Sequence, residues 1–303
     1  MRKKFIVLIS IFIILVLILF GLSKINTTPP KYNAQKPIGE QLNYTIVGIE
    51  AGAGLMSKTQ EALTRYPNLQ KNHWQLMPSS TASMISSLDK SIKYKQPIVV
   101  LCWQPHWIFK KYKLKFLKDP KHVYSKGETI TTITNKKMRS EKPGAFKLLQ
   151  QFKWTPSDMS TVMMDVTNGM KPNVAAQKFI KKHPDLVKKW LKNVPNGHGQ
   201  SVKLSYVAWD SEIASTNLVM ELLKYKGYNA SIYPMEIQPM WISVATGSID
   251  ASLSAWLPQT SKPLYDQYKN KIDIAGESLH GAKAGLIVPK YMKNINSIED
   301  LNK

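Results

Sequence analysis

Twice in this chain an apolar, strand-like run ends on the pattern Trp-x-Pro, at Trp103-Gln104-Pro105 and at Trp256-Leu257-Pro258. Each run is the third strand of a βαβαβ alternation. In the first, strand-like segments at 44–49, 74–77 and 97–102 are separated by an amphipathic stretch from Leu55 and by a helix entered at Ser79-Ser80-Thr81. That helix follows from Met84, Ile85, Leu88 and Ile92, spaced to share one face, behind small hydroxyl residues that can cap its first turn. In the second, strands at 203–208, 229–233 and 249–255 alternate with a helix from Glu212 to Lys226 and another carrying Met240, Trp241 and Val244. Alternation of this kind builds parallel sheets covered on both faces. Its repetition predicts two similar α/β lobes with a cleft between them.

Between the repeats lie a strand candidate at Thr129–Thr134 and a helical region from Lys142 to Trp190, broken at Trp154-Thr155-Pro156 and at Lys171-Pro172. These helices are expected to flank one lobe. The predicted division is 42–110 plus 293–303 for the first lobe and 111–292 for the second. The polar, proline-bearing stretch 26–41 shows no period that could bury a face, and reads as a linker.

Ahead of it, Phe5 to Leu22 form an uncharged apolar run behind Met1-Arg2-Lys3-Lys4. A secretory apolar region is usually about 7–15 residues and a spanning helix about 20. The run is therefore read as a membrane anchor or signal within 1–25, with cleavage possible after Gly21-Leu22-Ser23. The basic head places the following residues outside the cytoplasm. The single cysteine, Cys102, excludes an intrachain disulfide, and no cysteine follows the apolar run to carry a lipid.

Forty-two Lys and Arg against twenty Asp and Glu give a net charge of +22. The lysines are spread along helical segments such as Lys181-Lys182 and Lys188-Lys189, which fits a solvated surface beside anionic lipid or wall polymers. Nucleic acid is not expected as a partner of an exported chain. No nucleophile elbow, HExxH, paired-cysteine zinc spacing or complete phosphate loop occurs. No cofactor, metal site or catalytic residue is therefore predicted. Of the six histidines, at 73, 106, 122, 183, 198 and 280, only His106 is expected near the cleft, as a structural residue bonding to loop backbone.

Ligands of open parallel sheets bind beyond the carboxyl ends of the strands. Here those ends carry Trp103, Trp209, Trp256 and the glycine pair of Gly52-Ala53-Gly54. One tryptophan at such a place is more often core, but three at equivalent places point to an aromatic cage. A quaternary ammonium donates no conventional hydrogen bond, whereas indole faces attract it, at about 0.5–2 kcal/mol per contact. The glycines, at the start of a helix, let backbone N–H groups approach an anion.

The motifs Gly48-Ile49-Glu50-Ala51-Gly52-Ala53-Gly54, Trp103-Gln104-Pro105-His106-Trp107, Ala208-Trp209-Asp210-Ser211-Glu212, Ser254-Ala255-Trp256-Leu257-Pro258 and Gly285-Leu286-Ile287-Val288-Pro289 resemble those of the substrate-binding proteins of Gram-positive glycine betaine/proline betaine ABC importers. The resemblance runs from about Tyr44 to Leu301. It implies a class-II binding-protein fold, a monomeric binding domain on the outer face of the membrane, and a permease and ATPase as partners. It also implies an ammonium held by Trp103, Trp209 and Trp256, and a carboxylate held by the amides of Gly54 and Leu55. The family's carboxylate-binding histidine is replaced by Ser261, which weakens the case for a carboxylate-bearing ligand and lets choline compete; a choline or carnitine binding protein of the same transporter class is the alternative. An exported enzyme acting on a choline-like substrate is the reading from another class.

Overall fold

Among the described residues nine strands order the molecule, and their hydrogen bonds show how the two repeats are joined. The computed structural model of the protein describes residues 30–124 and 127–302. The strands are β1 (Thr45–Val47), β2 (Gln75–Met77), β3 (Val100–Gln104), β4 (Leu114–Phe116), β5 (Glu128–Asn135), β6 (Ser201–Tyr206), β7 (Asn229–Pro234), β8 (Ala251–Leu257) and β9 (Ile272–Pro289). They run β2-β1-β3-β9-β5-β8-β6-β7 across the molecule, with β4 paired to β9. Within each repeat the pairing is parallel: β1 lies between β2 and β3, and β6 between β7 and β8. Both predicted βαβαβ units are present, with strands at all six expected places.

The element that unites them was not anticipated. The eighteen-residue β9 pairs antiparallel with β5 from Ile272 to Ala282, then with β3 from Lys283 to Ile287. Its register to β5 shifts three times, and Gly281 adopts φ +77° at the changeover, a conformation that favours glycine. A run such as Ile272-Asp273-Ile274-Ala275-Gly276-Glu277 mixes polar and apolar residues. Its identity as a strand came from partners distant in sequence rather than from its own period.

Two expected boundaries are corrected. Residues 114–116 and 283–289, assigned above to the second lobe with 111–292, hydrogen-bond into the sheet of the first half. The stretch 26–41 is not wholly a linker either, because Tyr32 donates its N–H to the Lys95 carbonyl at 2.8 Å and Ile38 is buried in a short helix, Ile38–Gln41. A single anchoring isoleucine among prolines leaves no periodic trace. The apolar segment 5–22 lies outside the described residues, among which no helix is long and apolar enough to cross a membrane.

The helices start where local chemistry dictates. Ser80 caps Thr81–Tyr94 by accepting the Ser83 N–H, as the hydroxyl-rich entry predicted. The region 142–190 resolves into four helices, Pro143–Gln151, Pro156–Thr167, Pro172–Lys182 and Pro184–Trp190, each with proline in its first turn, where no N–H is needed. Thr155 and Asp158 form a reciprocal capping box on the second. The break at His183-Pro184 was not anticipated. The helix Asp210–Tyr225 is buried nearly all round, packed between β6 and β7 on one side and the helices 156–167 and 172–182 on the other. That position is why it carries small and apolar residues on every face rather than one stripe.

Candidate functional site: an indole-walled cavity between the halves

The carboxyl ends of β3, β6 and β8 converge, together with the loop after β1, on one cavity of about 40 Å³. From the first half it is lined by Ile49, Ala53, Gly54, Leu55, Trp103 and Ala284; from the second, by Trp209, Ser211, Ile237, Ser254, Trp256, Thr260 and Ser261. Every predicted site residue, Trp103, Trp209, Trp256, Gly54, Leu55 and Ser261, is on its wall.

Trp103 is the penultimate residue of β3 and Trp256 the penultimate residue of β8, each followed by a cis X-Pro bond, Gln104-Pro105 and Leu257-Pro258. The two rings are buried, whereas Trp209, the N-cap of the helix Asp210–Tyr225, is half-buried. Trp103 and Trp209 face each other with ring centroids 6.2 Å apart and planes tilted by 51°, the relation of adjacent walls rather than of a stacked pair.

Gly54 and Leu55 open the helix Gly54–Arg65, whose N-cap, Ala53, offers no side-chain acceptor. N–H groups of a first helical turn lack intrahelical acceptors and present a partial positive charge, so this wall suits an anion. Gly54 also lies against the opposite half: a Cβ there would stand 2.2 Å from the Thr260 carbonyl oxygen. Only glycine permits that approach.

Ser261 is buried, and its hydroxyl is part of its own turn. Its Oγ accepts the Trp256 N–H at 3.0 Å, and its N–H donates to the Trp256 carbonyl at 2.8 Å. The hydroxyl proton is left free to donate. The same loop is held from beneath by Glu128, which accepts the N–H groups of Thr260 at 2.8 Å and Gln259 at 3.2 Å. Burial raises the Glu128 carboxyl above the usual range, and these hydrogen bonds oppose the rise.

Polar contacts cross from one half to the other beside the rings. Glu50 accepts the Trp209 indole N–H at 2.8 Å, and His106 Nε2 stands 3.4 Å from an Asp210 carboxylate oxygen. His106 accepts the Ile108 N–H through Nδ1 and packs edge-on against Trp103, 4.8 Å between centroids. The structural part expected of it is therefore met, with a cross-cleft contact added. Behind Trp209, the buried Glu212 accepts the Val207 N–H at 2.8 Å and the Ser254 hydroxyl at 2.6 Å. Desolvation raises its carboxyl to about 8 against the pull of those two donors. Glu50, Ser254, Thr260, Ile237 and Ala284 were not read as site residues from the sequence. Glu50 and Ser254 sat inside quoted motifs, but nothing local announced their contacts.

Residues 29–182 and 200–303 match the family described as the substrate binding domain of ABC-type glycine betaine transport systems. The chain belongs to this family. Its fold is accordingly the two-lobed α/β fold of periplasmic binding proteins. The chain is also similar to the glycine betaine/carnitine transport binding protein of Listeria monocytogenes, 54% identical over 95% of this chain and 96% of the relative. Among solved structures it is similar to lactococcal OpuAC in a closed form complexed with glycine betaine, at 42% identity, TM-score 0.49, over 56% of this chain and 64% of that one. A glycine betaine/L-proline-binding protein from Borrelia burgdorferi is similar at 28% identity, TM-score 0.44, over 55% and 63% of the two chains.

Proposed function

We propose that this chain is the extracytoplasmic ligand-binding subunit of an ABC importer for glycine betaine, and that it works by closing two lobes around the ligand's quaternary ammonium. One observation carries the reading: Trp103 from one half, and Trp209 and Trp256 from the other, share the wall of a single cavity. A trimethylammonium group spreads its charge over methyl surfaces and has no proton to donate. Indole faces are attractive surfaces for it, at about 0.5–2 kcal/mol each. The ligand's carboxylate would lie against the first-turn amides of Gly54 and Leu55 and the free hydroxyl proton of Ser261.

Closure supplies the transport signal. Each half alone offers an incomplete cage, so a bound ligand favours the state in which both contribute, and that state is the one to be presented to the permease and its ATPase. The lobes are proposed to hinge where the chain passes between them, before β5 and at Gly281 in β9. The ligand leaves unchanged, so the protein acts as a carrier rather than an enzyme. Mass spectrometry of the ligand after long incubation checks that point. Residues 1–25 are proposed to hold the domain at the outer face of the cytoplasmic membrane, or to direct its secretion if cleaved.

A second reading, choline as ligand, is favoured by Ser261. A neutral hydroxyl in place of an imidazole weakens the hold on a carboxylate, which choline lacks and carnitine shares with betaine, without touching the cage. Calorimetry of the full chain with glycine betaine, carnitine and choline ranks the ligands. Absence of heat with all three at millimolar concentration would sink the proposal, as would unchanged binding in Trp256→Ala.

A further inference from the structure

We infer that Glu50 is a positioning residue of the cage, which ties closure of the halves to the orientation and polarisation of the Trp209 ring. The inference rests on the reading that the three tryptophans hold the ligand.

Glu50 lies in the loop after β1, and its carboxylate is anchored on its own half by the Thr81 backbone N–H at 2.8 Å and the Thr81 hydroxyl at 2.9 Å. Its remaining acceptor capacity reaches across the cleft. The oxygen that takes the Thr81 hydroxyl also takes the Trp209 indole N–H, at 2.8 Å. Trp209 itself follows β6 in the other half and is only half-buried, so packing alone constrains its ring less than it constrains Trp103 and Trp256. The Nε1 of Trp103, by contrast, has no hydrogen-bond partner among the described residues. Trp209 is thus the cage ring in contact with a carboxylate from the opposite half.

Two consequences follow from the chemistry of that bond. The contact exists only when the halves are together, so the ring is locked at the moment the cavity is completed. An indole N–H donating to an anion also shifts electron density toward the ring, which makes its face more attractive to a cation. Charge-assisted hydrogen bonds are the stronger class, and a partly exposed loop is a place where one such bond can decide a side chain's direction.

A double-mutant cycle tests this with glycine betaine as probe and the full chain as protein. In the otherwise native chain, Glu50→Ala is expected to raise Kd about tenfold, mainly through faster dissociation. In a Trp209→Phe background, which keeps a ring but lacks the N–H, the same change should cost less than about twofold. Indole-selective NMR supplies a second readout: the Trp209 N–H resonance should move downfield on ligand addition and should not do so in Glu50→Ala. Because Glu50 also supports the start of the helix 81–94, Glu50→Gln is included as a variant of equal size. A neutral amide cannot accept all three hydrogen bonds, so an intermediate loss and a weaker indole shift are expected. Equal losses in both backgrounds, or no loss in either, overturn the inference. Failure of the native chain to bind betaine, carnitine or choline would instead reject the cage reading beneath it.

Discussion

Ser261 shows how much a single side chain does here. Its hydroxyl accepts the buried N–H of Trp256, so it both shapes the turn that carries a cage ring and offers a proton to the cavity. Replacing it by alanine leaves that N–H without a partner, which costs on the order of 1–3 kcal/mol of folding stability. Urea unfolding should show that loss, and calorimetry a severalfold weaker hold on glycine betaine but not on choline, which has no carboxylate. Gly54 makes the complementary point about space. A methyl group there would meet the Thr260 carbonyl oxygen at 2.2 Å, and Thr260 belongs to the opposite half. Gly54→Ala should therefore fold and unfold like the native chain in the absence of ligand while binding at least about tenfold more weakly, a loss of roughly 1.4 kcal/mol. Equal melting temperatures without ligand, set beside a calorimetric titration, check both halves of that expectation.

At the scale of elements, the helix Asp210–Tyr225 connects the site to the core. Its first turn carries Asp210 opposite His106 and Glu212 beneath Ser254, and its body is buried between β-sheet and helices. Burial raises the Glu212 carboxyl to about 8, well above the unfolded value of about 4.3. A carboxyl raised in the folded state binds its proton there while the unfolded chain has already lost it. Stability therefore falls as pH rises between those two values, and levels off above the higher one. Glu212→Gln, which keeps the shape and has no such titration, should gain stability relative to the native chain as pH rises from about 5 to about 8. Urea unfolding of both proteins at pH 5, 7 and 9 measures the difference. A constant gap across that range would show that Glu212 does not titrate as its burial requires.

For the whole molecule, the useful quantity is the linkage between ligand and closure. A ligand that binds only the folded, closed form stabilises it by about 2.7 kcal/mol at a hundred times its Kd. Saturating glycine betaine should thus raise the melting temperature by several degrees and, in solution scattering, contract the molecule. Among the described residues none that carries a charge lines the cavity, whose walls are indole, aliphatic and hydroxyl. Raising salt from about 0.05 to about 0.5 M, which screens exposed charges over a few ångströms, should change betaine affinity less than about twofold. Any attachment of the protein to anionic surfaces should weaken strongly over the same range. Calorimetry and vesicle sedimentation at the two salt concentrations separate these effects.

What the chain's own order of residues determined is the grammar of the two halves. Strand and helix periods, prolines in first turns and hydroxyl caps act over a few residues, so they can be read without knowing any partner. The three tryptophans were legible for the same reason, because a sheet delivers the residues at its carboxyl ends to one place. Tertiary structure alone decided that β9 threads both halves, that 283–289 returns to the first sheet, that Ile38 is buried, and that Glu50 reaches Trp209. These are pairings between residues far apart in the chain, Glu50 and Trp209 by 159 positions and the strands β3 and β9 by more. Such contacts depend on where the halves stand when they close, and no local period encodes that.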